Sequence, residues 1–366
     1  MGLKRVLWWS AGVIPVALLV AGFIAYWTST NDCGRNTSPQ GDLMKAIVYC
    51  DYGSPDVLKL ESVAKPVPND KQILIKVRAA SVNPLDWHYM RGTPYIGRAM
   101  GMGLRKPKDT RLGVDVAGRV EAVGGSVTQF KLGDEVFGAA RGALGEYVCA
   151  SENRLVLKPK DLTFEQAAAI PIAGVTALQG LRDRGKLQPG QRVLINGASG
   201  GVGTFAVQIA KAFGAHVTGV CSTRNLDMVR SLGADQVIDY TKEDFTGSGQ
   251  QYDLVLDNVG NHSLSALRRV LTPRGRYVMV GGPKGRWIAP LDRVLATKVF
   301  SWFVSQDMGM LWADMKKKDL GTLGDLAQSG KVKPAIDRTY TLSQAPEAIR
   351  YLEKGHARGK VVITVE

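Results

Sequence analysis

The sequence predicts an α/β protein of two domains preceded by one transmembrane helix, and three observations predict it. Positions 6–27 carry no charged residue; short strand-like runs between turn signals follow to about residue 160; strands alternating with helices of about ten to twelve residues come next. With 366 residues, 45 % hydrophobic and 22 % charged, the chain is long enough for two packed cores.

The run VLWWSAGVIPVALLVAGFIAYW, as a helix, would be roughly 33 Å long and would cross a bilayer. Trp8 and Trp9 at one end and Tyr26 and Trp27 at the other fall where interfacial aromatics belong. Lys4 and Arg5 would also suit a signal peptide, but the run is longer than the roughly 7–15 residues of a signal core, and no small-x-small site follows. Residues 1–27 are therefore expected to be an uncleaved anchor and 28–43 a polar linker.

The four cysteines, Cys33, Cys50, Cys149 and Cys221, are widely spaced without a Cys-x-x-Cys pair. They suggest neither a disulfide framework nor a structural zinc lobe, and a reducing compartment is expected. The net charge of +14 is spread along the chain and set against 33 acids. Nucleic acid is not expected as a partner; a phosphorylated cofactor or acidic lipid accounts for the charge more readily.

From Met44 the strand-like runs KAIVYC, QILIKVRAASV, DVAGRVEAVG, EYVCA and RLVLKP predict a β-rich, barrel-like domain. Then LTFEQAAAIPIAGVTALQGL reads as helical, with Thr163 and Gln166 in capping-box spacing. RVLING, a helix from about Gly203 to Phe213, HVTGVCS, a helix ending before Gly233, QVIDY, LVLDNV and RYVMVGG make βαβ units and a parallel sheet. The closing strand KVVITV is expected to return to the first domain. The expected division is 44–167 and 313–366 for a discontinuous catalytic domain and 168–312 for the dinucleotide-binding domain.

The strand RVLIN runs into GASGGVGTFAVQIAKAFGA, so Gly197, Ala198, Gly200, Gly201, Val202 and Gly203 form a turn between a buried strand and a helix start. Such a turn lets backbone N–H groups approach a pyrophosphate, the Rossmann arrangement. The end of the next strand, VTGVCSTRN, lacks the acid that would hold a ribose 2′-hydroxyl. Ser222, Thr223 and Arg224 stand there instead and suit a 2′-phosphate, so NADPH is the expected cofactor.

These residues, with AASVNPLDWHYMRG upstream and GHARGKVVITVE at the end, resemble the medium-chain dehydrogenase/reductase superfamily over residues 44–366. Within it the chain resembles the zinc-free, zeta-crystallin-like quinone oxidoreductase branch. The resemblance implies a GroES-like catalytic barrel beside the Rossmann domain. In zinc-dependent relatives the metal ligands fall at positions that look like Asn83, Val114 and Ala173, and these residue types are poor zinc ligands or none. No zinc is therefore expected. Asp115, beside Val114 in RLGVDVAGRVEAVGG, is expected to order the loop beneath the cofactor.

The resemblance further implies that Asn83, Asp86, His88 and Tyr95 form the catalytic side. Tyr240 and Lys360 are implied to flank the adenosine 2′-phosphate or the bound cofactor, and Asn258, Gly281 and Gly282 to line the nicotinamide side. The stretch 294–318, dense in Trp, Phe and Met and ending in three lysines, reads as core or as the interface of a homodimer; a substrate pocket or a membrane contact are the alternatives.

The expected function is zinc-independent, NADPH-dependent hydride transfer to quinones or α,β-unsaturated carbonyls. A metal-free NADP-dependent alcohol dehydrogenase and a non-enzymatic NADPH-binding scaffold at the membrane are the rivals. Lys4 and Arg5 mildly favour a domain outside the cytoplasm, whereas NADPH supply favours the cytoplasmic side, which is the expected placement.

Overall fold

The computed structural model describes Cys33, residues 42–282, Gly285, Ala289 and residues 291–366. The expected membrane span at 6–27 lies outside them. Among the described residues no helix is long and apolar enough to cross a membrane.

The strands are β1 (Leu43–Val48), β2 (Lys59–Ala64), β3 (Gln72–Val82), β4 (Asp115–Val123), β5 (Glu135–Ala139), β6 (Tyr147–Ser151) and β7 (Leu155–Leu157), then β8 (Arg192–Asn196), β9 (His216–Cys221), β10 (Gln236–Asp239), β11 (Tyr252–Asp257), β12 (Leu271–Met279), β13 (Asp307–Met310), β14 (Ile336–Thr341) and β15 (Lys360–Thr364). The helices that matter below are α1 (Pro84–Arg91), α2 (Phe164–Ala168), α3 (Pro171–Gln179), α4 (Gly201–Ala212), α5 (Leu226–Ser231), α6 (Leu264–Arg269), α7 (Leu291–Ser301), α8 (Lys317–Gln328) and α9 (Ala345–Glu353).

Strands β8 to β13 form one parallel sheet in the order β10-β9-β8-β11-β12-β13. Counted from β8 this is the 3-2-1-4-5-6 order of a dinucleotide-binding sheet, which opens a crevice where the order reverses, between β8 and β11. Val193, Leu194, Ile195, Val255 and Leu256 are buried because helices cover both faces, so these strands are continuously apolar instead of alternating.

The second unit is built on β3, the eleven-residue strand, which pairs antiparallel with β4, β6 and β15. The register sets Ser81 opposite Asp115 and Val82 opposite Val361, which brings Asn83, the residue after Val82, and Lys360, the residue before Val361, to the same sheet end. β15, the last strand of the chain, thus closes the first domain. Phe137, Ala79, Ala117 and Val362 of this unit share one apolar cluster with Leu320 and Leu323 of α8 and with Ile195 and Leu254 of the parallel sheet.

Local signals hold closely. Thr163 caps α2, accepting from Gln166 N at 3.2 Å while Gln166 Oε1 accepts from Thr163 N at 3.0 Å, and Pro171 stands at the first turn of α3. The helix expected from Gly203 begins two residues earlier, at Gly201, because the glycine turn is already complete there.

One expectation is overturned. Cys33 and Cys50 form a disulfide with 5.5 Å between their Cα atoms, tying Cys33 to the chain just beyond β1. Spacing along the chain did not show it, because Cys33 lies before β1 and Cys50 after it, and only folding brings the two thiols together. The expectation of a wholly reduced chain fails on this pair. Cys149 and Cys221 are free. Denatured without reductant, the full chain is expected to titrate two thiols, and all four cysteines after reduction; four thiols before reduction would contradict the pairing.

Candidate active site

The glycine turn lies at the C-terminal end of β8, at the switch point. Gly197 has φ +77°, a conformation that disfavours a side chain. A Cβ on Gly203 would lie 2.1 Å from the Gly197 carbonyl oxygen, so only glycine lets α4 pack this close to the strand. Gly197 and buried Ala198 both donate their N–H to the Val220 carbonyl, at 3.2 and 3.0 Å, which fixes the turn against β9. Thr204 N bonds the Gly200 carbonyl at 2.9 Å. The N–H groups of Gly201, Val202 and Gly203 precede it in the first turn and have no intrahelical acceptor.

At the end of β9 the predicted hydroxyls are already engaged. Thr223 Oγ1 donates to Asp239 Oδ2 at 2.5 Å, Ser222 Oγ accepts from Asn225 Nδ2 at 3.2 Å, and Arg224 Nη2 donates to the His356 carbonyl at 2.8 Å. Asp239, on the neighbouring strand β10, is an acid that inspection of β9 alone misses. Tyr240 is exposed, with its backbone N–H on Cys221 O. Asn225 also donates to Ser199 Oγ at 3.0 Å, and its own Oδ1 is buried without a partner.

Across the switch point, Asp257 at the end of β11 is wholly buried. It accepts from Asn196 Nδ2, Tyr277 OH and the N–H groups of Val259 and Gly260. This frame holds Asn258, whose Nδ2 donates to Asn196 O at 3.0 Å and whose Oδ1 is a second buried acceptor without a donor. Gly281, whose N–H donates to Asp257 O at 3.2 Å, and Gly282 continue the wall beside Asn258. The two orphaned acceptors and the open helix start fit a dinucleotide, whose ribose hydroxyls and carboxamide offer donors.

The catalytic unit contributes a buried polar cluster. Lys360 Nζ donates to Asn83 Oδ1 at 2.5 Å and lies 3.2 Å from Asp115 Oδ2. Asp115 also accepts from Ser81 Oγ at 2.7 Å, Asn83 Nδ2 at 2.9 Å and the Ile172 N–H at 3.0 Å. Lys360 is 3 % exposed and Asp115 0 %. Asp115 therefore orders the loops around it. The Lys360 ammonium is committed to Asn83 and Asp115. Gly359 N donates to Ser199 O at 2.9 Å, and a Cβ on Gly201 would meet Lys360 Cδ at 3.2 Å, so the lysine runs beside the glycine turn into the cluster.

Asn83 and Asp86 are placed in the same scaffold. Both ends of the Asn83 amide are used within the cluster, while Asp86 Oδ2 accepts from Asn83 N at 2.7 Å and Oδ1 from Gly113 N at 3.0 Å. Burial pushes the Asp86 carboxyl up to about 6; the two N–H donors and Lys360 oppose this, and Asp115 adds to it. His88 Nδ1 lies 2.8 Å from the Thr93 carbonyl, which requires a proton on that nitrogen, and the ring stacks on Trp87. Tyr95 lies under the Arg98 guanidinium, 4.8 Å from the ring centroid. Arg98 also covers Tyr52 at 4.2 Å, and Tyr52 OH donates to the carbonyls of Met102 and Gly103. Burial pushes the Tyr52 hydroxyl up to about 12, with Arg98 opposing, so it stays a donor. Nothing in the motifs pointed to Tyr52 or Arg98, which meet only through the fold.

Among the described residues no three His, Cys, Asp or Glu side chains gather as a metal site needs. The donor set itself does not fit zinc. Beside the Asn83 amide the Asp115 carboxylate is already paired with the Lys360 ammonium.

A parallel-sheet domain with a phosphate-binding turn, joined through a shared core to an antiparallel domain, defines a nicotinamide-dependent dehydrogenase or reductase. Residues 69–160 match the alcohol dehydrogenase GroES-like domain, and residues 232–363 match the zinc-binding dehydrogenase family. The chain is 37 % identical to the mitochondrial NAD(P)H oxidoreductase RTN4IP1 of Bos taurus, over 90 % of this chain and 91 % of that one. It is 39 % identical to 2-methylene-furan-3-one reductase of Solanum lycopersicum, over 87 % and 79 %. The quinone oxidoreductase of Coxiella burnetii superposes with a TM-score of 0.78 at 35 % identity, covering 89 % of this chain and all of that one. The chain belongs to the medium-chain dehydrogenase/reductase superfamily, in its quinone oxidoreductase-like branch.

Two outcomes test the cluster. Lys360→Met is expected to destabilise the fold by about 3–5 kcal/mol in denaturant titration, because it strands a buried carboxylate, and Asp115→Asn added to it is expected to recover part of that loss. For Asp86, the folded state holds a proton that the unfolded chain has lost between about pH 4 and 6, so its contribution to stability falls as pH rises through that window. The stability advantage of the wild type over Asp86→Asn should therefore narrow across that window by about 3 kcal/mol; a pH-independent difference would contradict the raised value.

Proposed function

We propose that this chain is an NADPH-dependent, zinc-free reductase of quinones and α,β-unsaturated carbonyls. The observation that carries the reading is the pairing at one switch point of an open phosphate turn with a cluster in which a lysine ammonium occupies Asp115. The names of the relatives, NAD(P)H oxidoreductase, quinone oxidoreductase and alkenal/one oxidoreductase, support it.

In this reading the N–H groups of Gly201, Val202 and Gly203 hold the pyrophosphate. Ser222, Thr223 and Arg224 take the 2′-phosphate, and exposed Tyr240 covers the adenosine. Asn258 Oδ1, with Gly281 and Gly282, orients the nicotinamide carboxamide. Bound NADPH supplies a hydride from C4 of its nicotinamide. The buried cluster of Asn83, Asp86, Asp115 and Lys360 excludes water from the cleft floor and fixes α1, which carries His88. With Nδ1 committed to Thr93, His88 can give a proton through Nε2 only as imidazolium, and the Tyr95 hydroxyl is the other candidate donor to the acceptor oxygen. Quinones and enones are already electron-poor and need no Lewis acid, so orientation and hydrogen bonding supply the rate.

We further propose that residues 6–27 anchor the enzyme in a membrane, with the catalytic domain on the cytoplasmic side where NADPH is supplied. Protease added to sealed cells is expected to spare the domain; digestion would place it on the oxidising side that the Cys33–Cys50 disulfide and Lys4 and Arg5 favour. Purified full chain is expected to oxidise NADPH with at least one member of a quinone and enone panel, and turnover of none would end the reading. Arg224→Asp is expected to raise the Michaelis constant for NADPH about tenfold or more with little change in kcat; unchanged kinetics would remove Arg224 from the phosphate site.

A further inference from the structure

The disulfide sits beside the segment that leads into the catalytic side. Two residues beyond Cys50, Tyr52 bonds the carbonyls of Met102 and Gly103, and Arg98 bridges the rings of Tyr52 and Tyr95. The segment from Tyr95 to Lys108 is held at both feet by α1, and at the second foot by the buried cluster. Before it, Thr93 O meets His88 Nδ1; after it, Gly113 N meets Asp86 Oδ1. Cys33 is thereby fixed at the edge of this segment.

Chain length turns that attachment into a distance. The uncharged run ends at Trp27, so only residues 28–32 separate it from Cys33, against 28–41 before Asp42. Fully extended, these spans reach at most about 21 Å to Cys33 and about 52 Å to Asp42. With the run in a bilayer, the disulfide confines the Cys50 corner to roughly 20 Å from its surface.

The surface at that corner suits such a place. Met100 is 73 % exposed and Ile96 36 %. Arg105 and Lys108 are exposed, and the segment 95–108 contains four cations and no acid. The neighbouring acids are already paired, Asp51 with Lys106 at 3.6 Å and Asp109 with Arg141 at 2.6 Å. An apolar tip ringed by cations matches an anionic bilayer surface.

We propose that residues 95–108 are a membrane contact, oriented by the Cys33–Cys50 disulfide, and that they open the reduction site toward the bilayer. The acceptor it takes is then a lipid-dissolved quinone or enone with a long apolar tail. The substrate part rests on the reductase reading above, and the contact itself rests on the span at 6–27.

The test uses the full chain in phosphatidylcholine vesicles with and without phosphatidylglycerol. Trypsin cleavage after Arg105 and Lys108, read by mass spectrometry, is expected to slow about fivefold or more in the anionic vesicles relative to detergent, and Cys33→Ser with Cys50→Ser should abolish that protection. Equal cleavage in vesicles and detergent overturns the contact, whether or not any acceptor turns over. With NADPH, the triple variant Met100→Glu, Arg105→Glu, Lys108→Glu should lose about tenfold in turnover of a quinone bearing a long isoprenoid tail in the vesicles, yet stay within about twofold on its tail-less water-soluble analogue. Parallel loss on both, or on neither, overturns the bilayer route. Failure of the wild type on both quinones and on enones rejects the reductase reading and with it the substrate part, and the cleavage result then decides the contact alone.

Discussion

The geometry of the site depends on one buried ion pair. Lys360 comes from the last strand of the chain, Asp115 from the fourth, and Asn83 from the residue after the third, and they meet because β15, β3 and β4 pair in one register. A buried charge pair of this kind adds little net stability compared with an apolar filling, since desolvation offsets much of the attraction. What it supplies is position. The same lysine passes the glycine turn, its neighbour Gly359 bonds Ser199, and Asp115 also takes the N–H of Ile172 in α3. The relation between the glycine turn and the loop after β3 is thus set by a few short, directional contacts.

The wider frame makes those contacts possible. The apolar cluster running from Phe137 through Leu323 to Ile195 joins the two units, and Gln208 reinforces the seam by bonding both the carbonyl and the N–H of Lys333. Burial of this order keeps the two units from sliding past one another and so fixes the relation between the glycine turn and the buried cluster. The orphaned acceptors of Asn225 and Asn258 stand beyond β9 and β11, the two strands that flank β8. Unsatisfied buried oxygens are costly in a folded protein, and their presence on both sides of β8 is the mark of a site shaped for a ligand.

How much could be read from residues alone differs from element to element. The parallel sheet was legible because its strands are short apolar runs divided by helices, and the phosphate turn because glycine spacing and the strand before it carry the chemistry together. Thr163 and Gln166 showed a helix start for the same local reason. Asn83, Asp86 and Lys360 could be named, but through resemblance, and their partners could not. The exchange of bonds among them is a matter of register across three strands far apart in the chain. Tyr52 and Arg98 carry no motif at all and meet by folding.

The sequence by itself determined the class of fold, the glycine turn after β8 and the lack of an acid at the end of β9, because each is written in adjacent residues whose spacing has a direct physical meaning. Only the tertiary structure decided that Lys360 enters the buried polar cluster, that Asp239 reaches Thr223 from the next strand, and that Cys33 joins Cys50. These are contacts between residues that the chain keeps apart, and their geometry comes from strand order and packing, which no local pattern encodes.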